Sequence, residues 1–114
     1  MKILVTGGRD YADWDHVRSV LAEYRDRSPS VIQGGASGAD ALAGWTAALL
    51  GYPSRAYPAN WEKWGKAAGA IRNREMLDLE PDLVIAFPGG RGTADCVREA
   101  RRRGIAVRDE RVRS

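Results

Sequence analysis

Asp82 to Glu99 reads DLVIAFPGGRGTADCVRE. Leu83 to Phe87 is an unbroken apolar run that stops at Pro88, Gly89, Gly90 and Gly92 follow, and Thr93 opens an amphipathic segment carrying Val97 and Ala100. This is the pattern of a strand, a glycine turn and a helix start. Glycines let the backbone pass close to a ligand, and the first helical turn presents amides without intrahelical acceptors at the positive end of the dipole. An anion, most often a phosphate, suits such a construction. A tight βα turn uses the same residues for geometry alone, so this segment by itself leaves both roles open.

Working outward, two earlier segments repeat the arrangement. Lys2 to Thr6, KILVT, is a short strand pattern ending at Gly7-Gly8, and Val31 to Gln33 runs at once into Gly34-Gly35-Ala36-Ser37-Gly38-Ala39-Asp40. Ser54 to Tyr57 reads as a further strand stopped by Pro58, and Gly104 turns into a last one, Ile105 to Arg108. Between them, Asp13 can cap a helix whose Trp14, Val17, Leu21 and Tyr24 recur at helical spacing to about Arg27. A second helix spans Gly38 to about Leu50 and stops at Gly51; a third runs from about Gly65 to Leu79. Trp61 to Gly65 reads as a loop or helical turn. Strands alternating with helices predict an α/β fold with a five-stranded, mainly parallel sheet and helices on both faces. Ligands bind such sheets beyond the carboxyl ends of the strands, where strand order reverses, so the three glycine loops are expected to meet on one edge.

The loops limit the chemistry. After the first strand the chain reads TGGRDY rather than G-x-G-x-x-G, and no G-x-x-x-x-G-K-[ST] occurs, so neither dinucleotide binding nor P-loop hydrolysis is expected and no cofactor is implied. A single phosphate or small nucleotide fits better, with hydroxyls from Thr6 and Thr93 and charge from Arg9 or Arg72. Arg72 shares a helix face with Gly69, Met76 and Leu79, the face that packs on the sheet. A guanidinium there is met by an anion, or it reaches water or a carboxylate such as Glu75 or Asp78 along its stem. Asp40 either complements its helix dipole or recognises ribose hydroxyls. Arg9 and Tyr11 clamp a base or stand exposed, and Asn73 bonds a ligand or supports the loop after the fourth strand. Trp61 and Trp64 wall the pocket or bury a dimer contact, with core packing the default expectation.

Composition bounds the class. At 114 residues, with 44% hydrophobic and 29% charged, the chain is expected to form one soluble globular domain, 1–114, with an arginine-rich tail from about residue 108. No apolar run approaches the ~20 residues of a membrane span, and Met1-Lys2 leads straight into a strand rather than a signal peptide. Cys96 is the one cysteine, so no internal disulfide framework forms, and a cytoplasmic location is expected. With one histidine, His16, and no cluster at ligand spacing, no transition-metal site is expected. The net charge of +3 leans on Arg101, Arg102, Arg103, Arg108, Arg111 and Arg113. These either contact nucleic acid or form a solvated helix end and tail.

TGGRDY at Thr6–Tyr11, GGASGAD at Gly34–Asp40, IRNREM at Ile71–Met76 and PGGRGT at Pro88–Thr93, in that order, together resemble the SLOG superfamily, and within it the small YspA-like, cpYpsA-related branch. The resemblance implies a Rossmann-like three-layer sandwich, a nucleotide-derived small-molecule ligand held by these four motifs, and a homodimer. The superfamily includes Lonely Guy phosphoribohydrolases, which cleave nucleoside monophosphates, and DNA-processing proteins of the Smf/DprA type. In the hydrolases the last motif continues as PGGxGTxxE, and its glutamate acts with an arginine of an R-x-x-x-M helix. Carried across, the arginine is Arg72, with Met76 in place, but the glutamate position holds Cys96. A thiol is a poor substitute in glycosidic cleavage, which leaves Asp95 or Glu99 as a displaced carboxylate, or Cys96 as a nucleophile, if the chain is an enzyme.

Overall fold

The computed structural model describes residues 1–112. Five strands, β1 (Lys2–Thr6), β2 (Ser30–Gln33), β3 (Ser54–Ala56), β4 (Leu83–Ala86) and β5 (Val107–Asp109), form one sheet in the order β3-β2-β1-β4-β5. Every pairing is parallel, with Ile3 opposite both Val31 and Leu83. The connecting helices are α1 (Trp14–Ala22), α2 (Ala39–Leu50), the single-turn α3 (Trp61–Trp64), α4 (Ala68–Leu77) and α5 (Arg91–Arg102).

Strand periodicity splits the core into two layers. Ile3, Val5, Val31, Ile85 and Phe87 pack against Val17, Val20 and Leu21 of α1 and Leu42, Ala43 and Ala47 of α2. Their neighbours Leu4, Ile32 and Val84 face the other way, against Met76 and Leu77 of α4 and Cys96 and Ala100 of α5. A sheet covered on both sides explains why β1 and β4 read as unbroken apolar runs rather than alternating ones. The chain therefore has the Rossmann-like three-layer α/β architecture. Its order reverses between β1 and β4, which opens a crevice above their carboxyl ends.

Several boundaries differ from those read in the sequence. The first helix ends at Ala22 rather than near Arg27, and a short 3₁₀ turn, Arg25–Arg27, leads to Ser28 at φ 47°. Those arginines are exposed and have no face to bury, and Pro29 disfavours a helical residue before it. Asp13 does cap α1, its carboxylate accepting from the His16 amide at 3.1 Å. The third predicted helix, Gly65 to Leu79, contracts to Ala68–Leu77 behind a 3₁₀ turn over Gly65–Ala67, because Gly65 takes φ 56°. β4 ends at Ala86 rather than Phe87, and α5 begins at Arg91, two residues before Thr93. β5 starts at Val107 rather than Ile105, whose amide donates to the Ala100 carbonyl and finishes the α5 turn. Trp61 and Trp64 do not join the core; they remain 48% and 45% exposed. No helix among the described residues is long and apolar enough to cross a membrane.

Candidate functional site

The loops after β1, β2 and β4 meet above the sheet and surround a cavity of about 380 Å³, within the usual range for small-molecule sites. Its wall includes Thr6, Gly7, Gly8 and Arg9 from the first loop, Ala36 and Asp40 from the second, and Gly90, Gly92 and Thr93 from the third. Arg72 and Asn73 of α4 and Trp61 of α3 close its side. Gly34 and Gly35 line a second, adjoining cavity of about 310 Å³, which shares Arg9, Ala36, Trp61 and Arg72 with the first. Gly38, Pro88 and Gly89 line neither.

The first two loops spend several of their polar backbone groups on the protein itself. Gly8 N–H donates to the Pro88 carbonyl at 2.8 Å, and the Gly8 carbonyl accepts from Ala39 N–H at 3.0 Å. Gly35 N–H donates to Gln33 Oε1 at 2.6 Å and Ala36 N–H to Asp40 Oδ2 at 3.2 Å. At Gly38, which sits at φ 71°, a Cβ would collide with the Gly8 carbonyl oxygen; at Gly89 one would lie 2.7 Å from the Gly8 amide nitrogen. These glycines permit a close approach of backbone to backbone. Around Gly90 and Gly92 the corresponding space is open. The amides that begin α5 have no intrahelical acceptor, so the β4–α5 loop is the part of the rim that offers donors to a guest.

Arg72 lines both cavities and spends part of its guanidinium on the protein itself. Its Nη1 donates to the carbonyls of Gly34 at 2.6 Å and Tyr57 at 3.4 Å, and its Nε donates to Asn73 Oδ1 at 3.2 Å. Asn73 Nδ2 then donates to the Gly92 carbonyl at 3.1 Å and to Asp95 Oδ2 at 3.3 Å. Arg72 and Asn73 thus tie the β2 loop to the β4 loop, and Arg72 pairs with neither Glu75 nor Asp78. Asp40 is buried on the cavity wall, and desolvation pushes its carboxyl above the usual range, against the Ala36 amide and the positive charge of Arg72.

The motif position occupied by Cys96 is fully buried among Leu4, Met76 and Ala100. Burial pushes its thiol up to about 12, so it stays protonated and is no nucleophile. Neither neighbouring carboxylate, Asp95 or Glu99, lines the two cavities. Asp95 bonds Asn73 and Arg98, while Glu99 is held by Arg102 and Arg103 and drawn down to about 2. Tyr11 stacks on Phe87 at 5.6 Å between ring centroids. Trp61, expected in the core, instead carries the Arg9 guanidinium over its ring at 5.3 Å. Its exposure depends on contacts made far along the chain, and the aromatic spacing gives no sign of it.

The C-terminal arginines are already paired. Arg101 meets Asp109, Arg103 meets Asp78 at 2.6 Å, Arg108 meets Glu23 at 2.8 Å and Glu110 at 3.1 Å, and Arg111 meets Asp109 at 2.8 Å. Arg113 lies outside the described residues. Among the described residues no group of His, Cys, Asp and Glu is placed to hold a metal ion.

The fold and the rim define a Rossmann-like α/β protein with its cavity at the strand-order reversal. The model of the YspA, cpYpsA-related SLOG family matches residues 1–64, and the gene 61 protein of Mycobacterium phage D29 is 40% identical over 116 residues, covering 93% of each chain. The chain belongs to the YspA, cpYpsA-related SLOG family. IRNREM and PGGRGT lie beyond the segment that the family model matches. DNA processing protein A (DprA) from Streptococcus pneumoniae shares the fold with a TM-score of 0.80 at 20% identity, over 95% of this chain and 49% of that one. DprA from Helicobacter pylori, described for its single-stranded DNA binding mode, gives 0.68 at 16% identity over 96% and 64%. The chain spans about half the length of the S. pneumoniae protein.

Proposed function

We propose that the chain binds a nucleoside monophosphate or a nucleotide-derived ligand, with the phosphate at the start of α5. The observation that carries this reading is the open β4–α5 loop on a cavity of about 380 Å³, with Thr6 and Thr93 on its wall and Arg9 and Arg72 beside it. Ribose lies toward Asp40 and Asn73 in this reading. Titration calorimetry with AMP, GMP, CMP and UMP tests it. Saturable binding of at least one, lost in Gly90→Leu, is the expected result, because a Cβ at residue 90 meets no atom within 4 Å and the added side chain extends into the mouth of the cavity. Absence of binding by all four, or full retention in Gly90→Leu, overturns it. A homodimer accompanies this reading, and sedimentation velocity checks it.

A second reading, hydrolysis of the N-glycosidic bond, has one observation in its favour. Asp40 is a buried carboxylate on the cavity wall with a raised pKa, a property a general acid needs. Water would attack the anomeric carbon, releasing free base and ribose 5-phosphate. Chromatography of AMP incubated with concentrated protein decides it: release abolished by Asp40→Asn supports an enzyme, and no release leaves a binding module. A DNA role through the C-terminal arginines has the least support, since the described members of that cluster face carboxylates.

A further inference from the structure

We infer that Trp61 is the platform on which the ligand's base stacks, and that the base takes the place over the ring that Arg9 now holds. The inference rests on the nucleotide reading above and adds the group that recognises the base. Trp61 belongs to neither apolar core cluster, yet it is a wall of both adjoining cavities. A large ring left half exposed at the mouth of a cavity is an informative exception to burial. Its setting is well defined: Asn60 caps α3 through the Lys63 amide at 3.0 Å, and Gly65 at φ 56° ends it. Gly69 of α4 faces the ring, and a Cβ there would stand 3.5 Å from Cη2.

Arg9 lies over Trp61 at 5.3 Å and is itself exposed. An exposed cation–π contact is worth about two- to fivefold in an equilibrium, whereas stacking a base on an aromatic ring is worth about 5- to 100-fold. The base therefore displaces the guanidinium. Arg9 lines the same cavity as the α5 start, so its released charge turns toward the phosphate. Trp64 supplies an internal control. It sits on the same turn with similar exposure, but it lines neither of these two cavities.

Calorimetric titration with AMP and with ribose 5-phosphate, which lacks the base, tests the assignment. Trp61→Ala is expected to weaken AMP about 5- to 100-fold and leave ribose 5-phosphate unchanged. Trp61→Phe should retain most of the AMP affinity, Trp64→Ala should alter neither ligand, and Arg9→Met should weaken both. AMP affinity unchanged in Trp61→Ala, or equal losses for both ligands, overturns the platform while leaving the phosphate site standing. If the unmodified protein binds neither ligand, the phosphate site itself fails and the platform falls with it.

Discussion

The loops after β1 and β2 and the loop after β4 are all rich in glycine, but the glycines do different work. Gly7 and Gly38, with Gly89 at the edge of the third loop, are pressed against backbone or side chains of other loops, and an added Cβ at each would overlap a neighbour. Gly90 and Gly92 face open space. The first group lets the loops pack against one another beside the crevice; the second leaves its mouth clear. A glycine-rich turn is therefore evidence of a binding surface only where its backbone groups are not already engaged by the protein.

The contrast is sharpest at Gly38 and Gly90. Gly38→Ala combines a left-handed backbone with a collision against Gly8 and Arg9, a loss on the order of 3 kcal/mol, read as a fall in Tm of roughly 10 °C or more. A Tm within a degree or two of the parent would erase the distinction. The tie between the loops ranks next. Asn73→Ala leaves Arg72 Nε and the Gly92 carbonyl without their partner, at about 1–3 kcal/mol, measured by urea denaturation. Gly90→Leu is expected to change stability by no more than about 0.5 kcal/mol while removing nucleotide binding. If it destabilises as much as Gly38→Ala, the mouth is packed and not open.

The sheet, the order of elements and the convergence of three loops were legible because they depend on local pattern: unbroken apolar runs for doubly covered strands, glycine after each, and helical spacing between. Asp13 as a cap was legible for the same reason. The division of the glycines was not, since it depends on what another loop places within 4 Å. Arg72 shows the limit well. Its helix phase gave the correct face, but its partners are carbonyls at residues 34 and 57, and no sequence spacing announces them. Trp61 takes the pocket wall rather than the core that aromatic character predicts on average, because its surroundings come from the distant Arg9 and from Gly69.

The arginines repeat the lesson in charge. Arg9, over Trp61, lines the cavity; Arg101 to Arg103 look alike in sequence yet face Asp109, Glu99 and Asp78. That pairing has a pH signature. Glu99, held first by Arg102 and then Arg103, falls from an ordinary 4.5 to about 2, and Asp109, held mainly by Arg111, falls from 3.8 to about 2. A carboxylate whose folded pKa is depressed stabilises the fold above its unfolded value, and that contribution disappears as pH drops toward the folded value. Between about pH 4.5 and 2 the urea midpoint should decline, and Glu99→Gln should make the decline shallower by removing one of the groups that titrates there. The effect is the smallest of the series because Arg102 reaches solvent, where salt screens its charge, although Glu99 itself is buried. An unchanged slope in Glu99→Gln would mean that Arg102 and Arg103 are not committed to Glu99, and their charge would again be available to a polyanion. In that case neutralising them should flatten the salt dependence of any DNA binding.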